Sequence, residues 1–74
     1  MKEQVSKPTN NSAKERVEIE LKELEIRLNK LGNFLNTPNF DQLSITQKSL
    51  LQAQHSIMLS YTVLLKLRLL HWGD

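Results

Sequence analysis

Apolar residues recur along the first half of this chain at alternating steps of four and three: Val17, Leu21, Leu24, Leu28, Leu31 and Leu35. In the second half Leu51, Met58, Leu65 and Trp72 recur every seven. Both spacings stay close to the period of an α-helix, so each lays an apolar seam along one side of a helix, and such a seam asks for a second helix packed against it. The chain is therefore expected to be all-α, an antiparallel helical hairpin. Further apolar residues fall off these seams. Leu50, Ile57 and Leu64 repeat at sevens, Val63, Leu67 and Leu70 fill other sides of the second helix, and Ile19 and Ile26 form a narrow second stripe on the first. One hairpin satisfies one seam per helix, so the surplus points to a homo-oligomeric helical bundle.

Size makes the same demand. Of 74 residues the first eleven are too polar to join a core, and the roughly 60 that remain form a core that is marginal without a disulfide, a metal or a partner. There is no cysteine, which excludes disulfides and thiolate metal sites. His55 and His71 stand far apart without a carboxylate cluster, so neither a metal nor any other cofactor is expected. Oligomerisation is the staple left. The N-terminus has no apolar run of the secretory kind. The apolar stretch from Ile57 to Trp72 is broken by Lys66 and Arg68 and falls short of the ~20 residues that cross a bilayer. A cytoplasmic protein without membrane contact is expected. A net charge of +2 and a pI near 9.2 suit a small anionic partner but lack the dense basic face that a long nucleic acid requires.

Punctuation divides the chain into a flexible tail (1–11), a first helix (about 12–36), a bend (37–44) and a second helix (about 45–72). Ser12 and Glu15 fit a capping box at the first helix, and Ser44 and Gln47 fit a second. Thr37-Pro38 ends the first helix, or Thr37 caps a single turn with Pro38 at its first position. Phe40 and Leu43 would then plug the end of the hairpin. Gly73 is placed to end the second helix.

No catalytic constellation is present: there is no zinc-protease motif, phosphate-cradling glycine loop or cysteine nucleophile. An enzyme is not expected. Glu18 with Lys22 and Glu23 with Arg27 stand four apart and solvate the outer face, and His55 is expected on the solvent side. What stands out is a sparse set of cations beside the apolar stripes: Arg16, Arg27, Lys30 and Arg68. Each either lays its aliphatic stem over hydrophobic surface or, in paired copies, joins others around an anion such as phosphate. Tyr61 is either a core filler with its hydroxyl at the edge or a stacking surface for a base.

The ordered set Arg16-Val17, Glu20, Leu24, Lys30-Leu31 and Phe34, continued by Phe40, Leu43, Ser44, Leu50-Leu51, Gln54, Met58, Tyr61, Leu65 and Arg68, resembles the phage-encoded anti-CBASS sponges. These small helical-hairpin proteins bind cyclic oligonucleotide messengers of bacterial antiphage immunity and hold them away from the effector. The likeness covers about residues 13–70. It implies a cytoplasmic homohexamer in the infected host, with cyclic dinucleotides held between protomers and, in some members, a separate site for cyclic trinucleotides. Carried to matching positions, it makes Arg16, Lys30 and Arg68 phosphate contacts with Tyr61 as support. One departure is Ala13, where relatives often carry an aromatic residue able to stack on a base.

Two other classes fit the residues. Paired hairpins can form a dimeric four-helix bundle that grips RNA, although Glu18, Glu23 and Glu25 among the bases disfavour a polyanion. The apolar end of the second helix could equally dock a coiled-coil adaptor on another protein.

Overall fold

The computed structural model describes residues 10–74, with side chains from residue 13 onward. Three helices follow in order: α1 (Asn10–Leu35), α2 (Pro38–Asp41) and α3 (Ile45–Leu70). The long helices pack against each other as an antiparallel hairpin, and the described residues contain no strand. Residues 1–9, most of the expected tail, lie outside the described set. Asn10 and Asn11 belong to α1. Ser12 is therefore inside the helix, not at the N-cap position that its capping box would require.

The bend follows its residue chemistry closely. Thr37 has extended backbone angles, and its hydroxyl accepts from the Phe40 N–H at 3.4 Å while donating to the Phe34 carbonyl at 2.7 Å. Pro38 takes the first turn of α2, where a missing N–H leaves nothing unsatisfied. This single turn swings Phe40 inward to 6 % exposure, edge-on to Phe34 with ring centroids 6.2 Å apart. Leu43 is half-buried beside it in sequence. Ser44 then caps α3, its hydroxyl accepting from the Gln47 N–H at 3.1 Å. At the far end α3 stops at Leu70, with His71 at the cap and its N–H bonded to the Leu67 carbonyl at 3.0 Å. Trp72 thus stands beyond the helix rather than on its seam.

The core gathers toward the open end of the hairpin. Val17, Leu24 and Leu65 are buried there, with Leu21, Met58 and Leu69 packed on them. Leu65 is fully enclosed. On α3 the inward-facing residues are Leu51, His55, Met58, Thr62, Leu65 and Leu69, all buried or half-buried. Their steps of four and three mirror those of α1, so the two seams share one period along the whole interface. Two members are polar. Thr62, 4 % exposed, donates its hydroxyl to the Met58 carbonyl at 2.9 Å, a back-bond that removes the penalty of a buried unpaired hydroxyl. His55 faces inward, not to solvent as expected. Its ring lies opposite Gly32, where a Cβ built on the glycine would stand 3.4 Å from His55 Nε2.

Candidate ligand site

The two helices meet on two flanks, and their charges differ. On one flank of α1 lie Arg16, Glu20, Glu23 and Arg27, at steps of four, three and four, with Lys30 three residues further on. Helical periodicity keeps such residues in one row. Across from this row α3 presents Tyr61, whose hydroxyl donates to the Glu20 carboxylate. That contact fixes the register of the flank. Because the helices are antiparallel, Arg16, one turn before Glu20, and Arg68, two turns after Tyr61, both lie on the open-end side of it. Along the axis they stand about 6 and 10 Å from the contact. Arg27 and Lys30 lie toward the bend, about 10 and 15 Å from Glu20. The structure therefore groups Arg16, Tyr61 and Arg68 at one end, and sets Arg27 and Lys30 apart on the same row.

All five of these side chains are exposed, Tyr61 at 38 %. Tyr61 is exposed rather than a core filler, and its hydroxyl is engaged by Glu20. The hydrogen bond to Glu20 is the main cause that raises the phenol above its ordinary value. Desolvation and the negative charge of Glu20 act in the same direction, while the Arg68 guanidinium opposes them. Glu20 is the residue that sequence reasoning valued too little. Its spacing of four from Arg16 and seven from Arg27 was the available signal.

The opposite flank is closed by an ion pair: Lys66 Nζ lies 3.4 Å from a Glu25 carboxylate oxygen, both side chains partly exposed. Two open depressions of ≈ 360 and ≈ 340 Å³ lie on this side, formed about Glu18 and Lys22, with Ile19 in one and Leu69 in the other. They combine carboxylates with single lysines and include none of the expected ligand residues. At the end of α3, His71 Nδ1 lies 2.5 Å from a carboxylate oxygen of Asp74.

Adjoining the Tyr61 and Arg68 row, α3 exposes Leu50, Ile57 and Leu64 at 57 %, 68 % and 51 %. A second stripe, Leu59, Val63, Leu67 and Leu70, is also open. Among the described residues four hydrophobic side chains are buried and twelve large ones exposed, so a single hairpin leaves many large apolar side chains in water. None of the described helices is long and apolar enough to cross a membrane, and no described cluster of His, Asp or Glu could hold a metal ion.

Comparison with known proteins gives one family. The family model described as Sequestin matches residues 11–71, which take in nearly all of the hairpin. No curated protein and no solved structure matches the chain.

Proposed function

Because the chain belongs to the Sequestin family, we propose that it binds and sequesters cyclic oligonucleotide second messengers, cyclic dinucleotides and in addition cyclic trinucleotides, without hydrolysing them. The family's description supports retention of a partner. The nature of the ligand is argued from the residues. Arg16 and Arg68 lie toward one end of one flank with the Tyr61 ring beside them, and a planar guanidinium can donate two parallel hydrogen bonds to a phosphate. The apolar stripe of Leu50, Ile57 and Leu64 runs next to that flank. A second copy packed on the stripe would bring its own arginines to the same space, so a ligand with two phosphates would meet each encoded cation twice. Arg27 and Lys30 lie further along the row and would serve a second, separate pocket.

In this reading the protein is a phage product acting in the cytoplasm of an infected bacterium, where it blunts CBASS-type signalling as a homo-oligomer, a hexamer by the resemblance described above. Sequestration asks for tight binding and no turnover, so no catalytic residue is assigned. The observation that carries the proposal is the joint placement of two arginines and a tyrosine next to uncovered leucine and isoleucine.

Isothermal calorimetry across cyclic di- and trinucleotides, with linear dinucleotides and mononucleotides for comparison, tests it. Bound ligand recovered intact by chromatography is the expected result. Absence of heat with every cyclic ligand at high micromolar concentration would remove the proposal. A stable monomer with the same silence would instead favour an adaptor that docks through the apolar end of α3.

A further inference from the structure

A carboxylate stands within the flank proposed as the ligand site. Glu20 sits one turn from Arg16 on α1 and takes the hydroxyl of Tyr61 from α3. Arg68, two turns beyond Tyr61 on the same side of α3, lies toward the same end of this flank. A carboxylate and a phosphate oxygen make the same kind of demand on a guanidinium or a phenol: both accept short, charge-assisted hydrogen bonds. Only one can hold the Tyr61 proton at a time. On the opposite flank the helices are bridged by a separate pair, Lys66 and Glu25.

We infer that Glu20 is a built-in competitor: it occupies the Tyr61 hydroxyl beside the flank's arginines until a ligand whose phosphates are supported by base contacts displaces it. This rests on the reading of the flank as the ligand site. Simple anions, which bring charge but no base contact, are refused by like-charge repulsion and by an acceptor already in place. Ligands that engage the site from both sides of a copy-to-copy interface overcome it. Glu20 is thus a specificity-determining residue. Without it the same cations would retain inorganic phosphate and pyrophosphate, which are abundant in cells, and the site would be filled by the wrong anion.

The experiment uses the full chain with inorganic pyrophosphate as the probe. Thermal stability is followed against pyrophosphate concentration for the natural protein, Glu20→Gln, Tyr61→Phe and Glu18→Gln. Glu18→Gln removes the same charge from the opposite flank and serves as the control. Glu20→Gln is expected to bind pyrophosphate on the order of threefold to tenfold more tightly than the natural protein, the range expected for removing one like charge near the surface. Glu18→Gln should respond like the natural protein. Tyr61→Phe, which unties the carboxylate but leaves its charge, should not gain pyrophosphate binding. An equal gain in Glu18→Gln would reduce the effect to net charge and overturn the inference, as would an unchanged response in Glu20→Gln. Circular dichroism confirms that each variant remains helical, and Glu20→Ala replaces Glu20→Gln if that variant misfolds. The two readings fail separately. Silence of the natural protein toward every cyclic nucleotide sinks the ligand proposal, whereas good binding of those ligands with no change in pyrophosphate affinity on Glu20→Gln sinks the competitor alone.

Discussion

Thr62 shows how a polar residue can belong to a helix seam. Its hydroxyl is turned back on the Met58 carbonyl at 2.9 Å, so burial leaves nothing unsatisfied, and its methyl group does the packing. Thr62→Val removes the hydroxyl together with its need for a partner, and stability measured by chemical denaturation should stay within ~1 kcal/mol of the natural protein. A loss beyond ~2 kcal/mol would mean that the hydroxyl has a role besides its back-bond. Gly32 is a second case. Helix interiors disfavour glycine by about 1 kcal/mol relative to alanine, and the 3.4 Å between an added Cβ and His55 Nε2 is ordinary contact. Gly32→Ala is therefore expected to stabilise the hairpin by ~0.5–1 kcal/mol in the same assay. Tyr61 offers a spectroscopic reading of its own environment, because it is the chain's single tyrosine. Its folded pKa is raised, chiefly by the bond to Glu20. That contribution to stability is fully present below the ordinary tyrosine value of 10.0 and is lost as pH climbs through the higher folded value. An absorbance titration should show tyrosinate forming later than in a model peptide, and Glu20→Gln should bring the midpoint back down. None of these three environments was legible from composition: a heptad count recognises apolar letters, and His55 and Thr62 carry the seam under polar ones.

Elements were easier to read than environments. The seam of α1, the Thr37-Pro38 turn and the Ser44 cap each follow from a local rule acting on adjacent residues, which is why the sequence specifies them directly. The start of α1 was less legible, since Ser12 has the right chemistry for a cap but the helix already includes Asn10. Capping signals mark where a helix can begin, whereas the residues before Ser12 decide whether it does. The interlocking of α1 and α3 rests on few side chains. Leu65, with no exposed surface, is the deepest of them, and Leu65→Ala should cost about 2–5 kcal/mol, read as a lowered midpoint in urea. Ser44→Ala should cost about 1 kcal/mol, and Ser44→Asp, which keeps an acceptor for the Gln47 N–H, should recover most of it.

For the molecule as a whole, the uncovered surface matters more than the covered one. A hairpin that buries four hydrophobic side chains and leaves twelve large ones open among its described residues has little reason to be stable alone. The proposed assembly would supply the missing burial. Leu64→Glu, placed at the end of the exposed Leu50, Ile57 and Leu64 stripe, is then expected to shift the species seen by light scattering to a smaller mass and to lower the melting temperature. A mass unchanged by this substitution would place the copy-to-copy contact elsewhere. The surplus of apolar residues was legible from spacing alone. The flank that unites Arg16 with Arg68 was not, because it depends on the relative register of two helices, and no pattern within either helix encodes that register.

The antiparallel course of α1 and α3 has a practical outcome. The start of α1 and the finish of α3 emerge side by side, next to the buried cluster and the arginines. A reporter fused directly after α3 would crowd that corner, whereas the three-residue gap before Ile45 lies at the opposite end of the hairpin.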